Sequence, residues 1–174
     1  NGYETALHRP SVEAFAVDNN ELPIAIEVVS ETACPRYAGV SVKGVTVKES
    51  PEWLKNRLTT IGLRPINNIV DITNYILHAY GQPLHCFDAD KVKGGKVVVK
   101  TMPEGTPFVT LDGVERKLSE NDLMICNAEE PMCIAGVFGG LESGTTEESV
   151  NIFLESAYFN PTSVRKTARR HGLN

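Results

Sequence analysis

One short stretch of the chain carries hydroxyl, amide and imidazole groups at a spacing that could build a binding site. Thr73 and Asn74 fall in a helical pattern that stops at Gly81, and His85 follows four residues later. Because the chain reverses at the glycine, these side chains could converge on a small molecule, with the hydroxyl and amide holding a carbonyl or ribose and the imidazole orienting water. The alternative from spacing alone is a packed Thr73, a solvated Asn74 and a His85 that caps local backbone.

Glu155 is the one carboxylate in an apolar stretch, residues 151–159, that is predicted to be a buried strand. In a strand it shares one face with Phe153 and Ala157, so it points either into the core or into a cavity beside the sheet. A buried carboxylate without a partner is costly, so a salt bridge to an arginine or lysine is the alternative to a binding role.

Three glycines, Gly136, Gly139 and Gly140, interrupt the apolar run at 132–140. Missing side chains let a ligand approach the main chain, or simply let the backbone turn or bulge. The spacing excludes a P-loop, because no Gly-Lys-Ser/Thr follows, and it does not fit the dinucleotide fingerprint GxGxxG.

The last predicted helix, residues 161–170, has one cationic face formed by Arg165, Lys166, Arg169 and Arg170. Such a face could contact phosphates, which the resemblance given below makes those of a tRNA, or it could only complement the helix dipole and stay solvated. The remainder of the chain has 13 basic against 22 acidic residues, within a net charge of -5. Since nucleic-acid binding by counterion release needs a basic surface, we expect other parts of a larger assembly to supply most contacts to any polyanion.

Composition indicates one soluble globular domain, because 41% of the 174 residues are hydrophobic and no apolar run approaches the roughly 20 residues that span a bilayer. We therefore expect a cytoplasmic protein without membrane contact. The chain begins with Asn1 rather than methionine, so we expect it to be a piece of a longer polypeptide. The four cysteines form no CxxC pair and are predicted to be structural free thiols, and no metal site is expected.

Hydrophobic periodicity predicts an α+β domain at residues 22–174, with a lead-in or linker at 1–21. The expected architecture is a mixed or antiparallel β-sheet, sandwich-like, with flanking helices. Asp112-Gly113 between two strand-like arms predicts a hairpin. Strands are predicted at 24–29, 37–47, 95–100, 108–118, 122–126, 132–140 and 151–159, and helices at 51–61, 66–80 and 161–170.

The predicted helices have assigned inner faces. Ser50 is expected to cap the first helix, with Pro51 at its first position. The inward residues are expected to be Trp53, Leu54, Leu58 and Ile61 in the first helix and Ile66, Ile69, Val70, Thr73, Ile76, Leu77 and Tyr80 in the second, whose other face carries Asn67, Asp71, Asn74 and His78.

Six ordered motifs resemble the B3/B4 region of the β subunit of bacterial phenylalanyl-tRNA synthetase, and the resemblance covers about residues 22 to 174. The motifs lie at residues 64–75, 82–88, 110–113, 134–140, 154–157 and 163–172. The resemblance implies an editing domain that hydrolyses tyrosine wrongly esterified to tRNA(Phe). It also implies the tRNA acceptor end, the tyrosine moiety and a synthetase α subunit in an (αβ)₂ assembly as partners.

Carried over by position, the resemblance makes five residues the editing site: Thr73, Asn74, His85, Gly136 and Glu155. It implies that His85, Asn74 and Thr73 act at the ester, while Glu155 and Gly136 bind the amino acid. No cofactor is expected in this region, since ATP and Mg²⁺ would be used elsewhere in the parent enzyme. A non-catalytic tRNA-binding or subunit-bridging module is the alternative.

Overall fold

The fold is described here for residues 9–173 from a computed structural model, so residues 1–8 of the predicted lead-in and Asn174 lie outside the described residues. The strands are β1 Ala25–Val28, β2 Arg36–Lys43, β3 Leu84–Asp88, β4 Lys96–Thr101, β5 Pro107–Val109, β6 Glu115–Lys117, β7 Leu123–Cys126, β8 Pro131–Ile134, β9 Phe138–Gly139 and β10 Asn151–Tyr158. The helices are α1 Glu52–Thr60, α2 Asn68–Tyr80 and α3 Pro161–Arg170, and two short 3₁₀ turns follow β3.

Two sheets face each other across the main core. The larger has the order β1-β4-β7-β8-β9 with one parallel pair, β1 and β4, while the smaller has the antiparallel order β2-β10-β3. Val97 and Ile125 of the larger sheet share a buried cluster with Phe87 and Phe153 of the smaller. Alternation along each strand explains this, because every second residue turns inward. The expected mixed, sandwich-like α+β architecture is confirmed.

The outer face of the three-stranded sheet packs against α2 along β3 and β10, while Val40 and Val42 of β2 stay exposed. Ile69 of α2 packs with Cys86 and Ile152, which alternate along β3 and β10 with the inward Phe87 and Phe153. The helix begins where the Asn67 side chain accepts hydrogen bonds from the backbone of the next turn, and it ends at Gly81 in the left-handed conformation, φ 71°. The predicted helix at 66–80 agrees with these limits to within two residues, but Asn67 is the N-cap rather than a member of the helix's polar face.

The predicted inward faces of α1 and α2 are partly wrong. Trp53 of α1 is 55% exposed. Ile61, Ile66, Leu77 and Tyr80 are exposed as well. The reason is tertiary: α1 packs mainly against α2, and α2 packs against β3, so much of the apolar surface of both helices faces outward.

Asp71, predicted on the polar outer face of α2, is instead fully buried. Its carboxylate accepts hydrogen bonds from Ser50 Oγ at 2.5 Å and from the backbone N–H of Ile66 at 2.9 Å. Ser50 was predicted to cap α1, but the cap position is Pro51 without a side-chain hydrogen bond. The serine hydroxyl thus fastens the start of α1 to α2 rather than capping its own helix.

Two of the predicted strands are shorter in the structure. The strand predicted at 37–47 ends at Lys43, because Gly44 takes a left-handed conformation with φ 74°. The run at 132–140 divides into β8 and β9 around a turn at Gly136, where φ is 67°. The predicted hairpin is present as β5 and β6, with Asp112 and Gly113 in its loop.

Asp122 anchors α3 to the larger sheet. It is fully buried, and one oxygen accepts from Thr167 Oγ1 at 2.9 Å and from the Arg170 guanidinium. The other accepts from the backbone N–H of Ser119 at 2.8 Å and lies 2.7 Å from His171 Nε2. Burial alone would raise the pKa of Asp122, but these hydrogen bonds and the arginine charge lower it.

We expect Asp122→Ala to destabilise the fold by about 3 kcal/mol or more, because it leaves the buried Thr167 hydroxyl and a cation without their acceptor. Urea denaturation should show this as a lower midpoint. Glu120→Ala is the matched control, since Glu120 is exposed. Equal midpoints for the two variants would contradict the anchoring role.

Candidate functional site

Glu155 and His85 lie directly opposite each other on neighbouring strands. Glu155 of β10 pairs with His85 of β3 on one side and with Gly39 of β2 on the other. Cross-strand partners share a face, so the side chains of Glu155 and His85 point toward the larger sheet together with that of Phe153. The sheet register therefore brings together two residues that are 70 positions apart in sequence.

Glu155 is held by a phenol rather than by a cation. The hydroxyl of Tyr37 donates a hydrogen bond to Glu155 Oε2 at 2.5 Å. Glu155 is only 5% exposed, and within residues 9–173 no lysine or arginine forms an ion pair with it. The described residues therefore do not contain the salt bridge that was the alternative for Glu155. The sequence analysis did not single out Tyr37, its actual partner.

Burial raises the pKa of Glu155 to about 7, although the hydrogen bond from Tyr37 favours the ionised carboxylate and opposes the shift. Burial, followed by the charge of Glu155, raises the pKa of Tyr37 well above its ordinary range. Tyr37 therefore stays a hydrogen-bond donor throughout the neutral range. Glu155 can change its charge there.

Gly39 supplies space beside this pair. A Cβ added at Gly39 would lie 2.1 Å from Cζ of Phe153, which is impossible without moving the ring. The missing side chain lets the Phe153 ring cross under β2 next to the carboxylate. A hydrophobic wall thus adjoins Glu155, as a pocket for an aromatic ring requires.

His85 is neutral at physiological pH because burial lowers the pKa of its imidazole to about 4. Its ring stands edge-on to Phe87, with centroids 4.5 Å apart. A Cβ at Gly139 would lie 3.5 Å from His85 Cε1, so the imidazole also adjoins the larger sheet. A neutral imidazole can accept a hydrogen bond or a proton from water.

Thr73 and Asn74 are half-buried on α2, which also contacts β3. The Thr73 hydroxyl donates to the carbonyl of Val70 at 2.7 Å, a bond within the helix. Because α2 packs on the sheet face opposite Glu155, these side chains can share an opening with His85 only around the edge strand β3.

Gly136 lies in the β8–β9 turn, where a Cβ would meet Phe159 and Val164 at 3.1 Å. Its φ of 67° and this close packing explain why a glycine is needed. The structure gives it a turn role, as the simpler interpretation of the sequence has it, and a part in ligand binding stays a prediction.

The cationic residues of α3 divide into two groups. Arg165, Lys166 and Arg169 are exposed, whereas Arg170 is engaged with the buried Asp122. Within residues 9–173 the first three form no ion pair. They are available to an external anion, and Arg170 is held mainly by the fold.

Three surface cavities, of about 680, 680 and 440 Å³, are lined by residues other than Glu155 and His85. One of them borders the start of α3 and includes Lys166 and Arg170 in its wall. The carboxylate and imidazole lie between the sheets instead. All four cysteines are buried free thiols, as predicted. Across residues 9–173 no helix is long and apolar enough to cross a bilayer.

Its sequence and its fold relate the chain to known proteins. A model of the B3/4 domain matches residues 33–174, and the chain belongs to the B3/4 domain family. Its relatives include phenylalanine–tRNA ligase β subunits, which confirms the resemblance in the motifs. That of Bacteroides fragilis is 75% identical over 174 residues, which are 100% of this chain and 21% of the relative.

The β subunit of Porphyromonas gingivalis is 62% identical over 175 residues, again 100% of this chain and 21% of the relative. The chain thus spans about a fifth of the length of these curated relatives. A crystal structure of an N-terminal fragment of the phenylalanyl-tRNA synthetase β subunit from Pyrococcus horikoshii superposes with a TM-score of 0.56 and 13% identity, covering 81% of this chain and 45% of that one. At that identity the likeness shows the fold alone.

The two neighbouring titratable groups should give opposite pH dependences of stability. A carboxyl with a raised folded-state pKa stabilises the fold below its unfolded-state pKa and loses that effect as pH rises through about 7. An imidazole with a lowered pKa stabilises above its unfolded-state pKa and loses the effect as pH falls through about 4. Between about pH 4.5 and 6.5 the two slopes oppose each other.

We therefore expect Glu155→Gln to make the free energy of unfolding rise with pH across this window, by up to about 1.4 kcal/mol per pH unit, and His85→Gln to make it fall. Urea denaturation at several pH values measures both slopes. Glu147→Gln is the control, because Glu147 is exposed. Parallel curves for wild type and both variants would show that neither group is titrating differently in the folded state.

Proposed function

We propose that this chain is the hydrolytic editing domain of a phenylalanine–tRNA ligase β subunit and removes tyrosine wrongly attached to tRNA(Phe). One observation carries the proposal: the buried carboxylate of Glu155 is bonded to a phenol, with no cation paired to it within residues 9–173. A site that already stabilises one phenol on a carboxylate has the chemistry to recognise another. The β-subunit relatives supply the reason why a phenol would matter.

Physical chemistry explains the need for such a site. A pocket built for phenylalanine rejects the extra hydroxyl of tyrosine by only about 10²-fold, so fidelity requires a second, hydrolytic site. A hydrogen bond from the substrate phenol to Glu155 is worth about 1.5–3 kcal/mol, because its acceptor is charged. Phenylalanine offers no donor and would leave the carboxylate desolvated, so the same site refuses the correct product.

For the bond-breaking step we assign His85 to hold and orient the attacking water beside the ester. Its lowered pKa keeps the imidazole neutral, so that a ring nitrogen accepts a hydrogen bond from that water and orients it. Thr73 and Asn74 would reach the ester bond of the tyrosyl-tRNA by passing around the edge strand β3. The backbone near Gly136 would lie beside the tyrosine of the substrate. Positioning of the water, aided by the terminal ribose hydroxyl, supplies most of the rate effect.

The same proposal fixes the partners. The domain acts on the acceptor end of tRNA(Phe), within an (αβ)₂ assembly in the cytoplasm whose α subunit carries ATP- and Mg²⁺-dependent aminoacylation. The editing domain itself is proposed to need no metal or cofactor. Water held by protein side chains is the nucleophile, and its proton passes to the ribose oxygen of the leaving tRNA.

In the full αβ enzyme, Glu155→Gln should lower kcat/KM for deacylation of tyrosyl-tRNA(Phe) by about 10- to 100-fold, because a neutral amide is a weaker acceptor for the phenol. His85→Ala should lower kcat, since it removes the group that orients water. Glu147→Gln serves as the control. The editing assignment is wrong if deacylation is unchanged in both Glu155→Gln and His85→Ala.

A non-catalytic module that binds tRNA or bridges subunits is the second candidate, and the exposed cations Arg165, Lys166 and Arg169 favour it. Replacing all three by glutamine should weaken tRNA binding and reduce the slope of log affinity against log salt by up to about three. Filter binding across a salt series measures this. A weakened binding constant, combined with wild-type deacylation in Glu155→Gln and His85→Ala, would select the second candidate.

A further inference from the structure

We propose that Tyr37 is a positioning residue for substrate selection: its hydroxyl fixes one oxygen of Glu155 and leaves the other oxygen, which has no partner in the described chain, to accept a hydrogen bond from a phenolic substrate. The inference rests on the proposed editing function. It adds a residue on β2, outside the residues implied by the motifs. It also assigns separate roles to the two carboxylate oxygens.

The geometry begins with the strand register. Tyr37 pairs with Ala157 and lies two residues before Gly39, so it shares the inward face with Glu155 on the adjoining strand. Its hydroxyl reaches diagonally to Glu155 Oε2 at 2.5 Å. Diagonal cross-strand neighbours lie about 7 Å apart at the backbone, a span that a tyrosine side chain bridges.

Glu155 differs in one respect from the other buried carboxylates of the described chain. Asp71 and Asp122 each accept hydrogen bonds on both oxygens. Asp88 does so as well, from Ser149 Oγ at 2.6 Å and from the backbone N–H of Asp90 at 3.1 Å. Glu155 has a partner only on Oε2 within residues 9–173.

The free oxygen of Glu155 is not sealed in the core. Among the described residues, every fully buried side-chain oxygen or nitrogen has a hydrogen-bond partner. Since Oε1 has none there, it belongs to the small accessible fraction of Glu155, which is 5% exposed overall. A fixed acceptor oxygen with a free lone pair and some accessible surface is what a phenol donor needs.

The groups around Glu155 offer no substitute for Tyr37. His85 faces it from β3, and the thiols of Cys34 and Cys133 lie close to it; burial, followed by the charge of Glu155, raises the pKa of each thiol. None of the three is a cation at neutral pH, because burial also lowers the pKa of His85 to about 4. The Tyr37 hydroxyl is thus the neighbour that favours the ionised form of Glu155.

Removing the Tyr37 hydroxyl should affect the discrimination between tyrosine and phenylalanine more than it affects the fold. Without it, the pKa of Glu155 rises further, and the side chain is protonated and free to rotate over more of the neutral range. A neutral carboxyl penalises phenylalanine less, because an unpaired neutral group is cheaper to desolvate than a charge. Discrimination between the two amino acids should therefore fall along with affinity for tyrosine.

The test uses the full αβ enzyme with tyrosyl-tRNA(Phe) and phenylalanyl-tRNA(Phe). Tyr37→Phe should reduce the ratio of the two kcat/KM values by about tenfold, mainly through KM for the tyrosyl substrate. The pH at which deacylation rises to half its maximum should move upward, and activity should recover at higher pH as Glu155 ionises. Tyr158→Phe is the matched control, since Tyr158 lies on β10 and is exposed.

The outcomes separate the two proposals. Wild-type discrimination and an unchanged pH profile in Tyr37→Phe, while Glu155→Gln remains defective, would overturn the role of Tyr37 and leave the editing function standing. A Glu155→Gln enzyme with normal deacylation would overturn both. Tighter binding of L-tyrosine by Tyr37→Phe would mean that Tyr37 competes with the substrate, and this also overturns the positioning role.

A second measurement needs no variant. A crystal structure of the wild-type enzyme soaked with L-tyrosine should place the ligand hydroxyl within hydrogen-bond distance of Oε1, with Tyr37 still on Oε2. A ligand hydroxyl on Oε2 with Tyr37 displaced would contradict the inference. L-phenylalanine in a parallel soak should leave the site empty.

Discussion

The hydrogen bond between the Tyr37 hydroxyl and Glu155 governs the centre of this domain, because it allows a carboxylate to lie between two sheets without a cation. An isolated buried charge would shift its pKa until it became neutral or would destabilise the fold. Here burial and the phenol act in opposite directions and bring the pKa of Glu155 to about 7. The group is therefore sensitive to what else approaches it, as a recognition site requires.

Neighbouring strands of the described chain, rather than charged side chains, surround Tyr37 and Glu155. β10 is the central strand of the smaller sheet, so its inward residues are flanked on both sides, by β2 and by β3. The larger sheet covers them from above. Asp71 and Asp122 show the contrasting use of buried carboxylates, because both are fully bonded and fasten helices to the domain. Glu155 retains an unbonded oxygen within the described chain, which fits the recognition role proposed for it.

The proposed function is consistent with membership of the B3/4 family. The sequence relatives are phenylalanine–tRNA ligase β subunits, about five times the length of this chain. Phenylalanine and tyrosine differ by one hydroxyl, and a buried carboxylate that already accepts a hydroxyl is suited to detect it. The cationic face of α3 lies apart from this chemistry and suits contact with a phosphate backbone.

The sequence by itself determined the α+β class, the limits of α2 and α3, the hairpin at Asp112-Gly113 and the prominence of Glu155, because periodicity, capping and a lone charge are local signals. It could not show that Trp53 would be exposed or Asp71 buried, since the packing of α1 against α2 and the bond from Ser50 to Asp71 decide that. The sequence also shows no sign that Tyr37 matters, because nothing distinguishes it from other strand tyrosines before the pairing of β2 with β10 is known. Only the tertiary structure placed its hydroxyl on Glu155, because a one-residue change of register would have turned it to the opposite face.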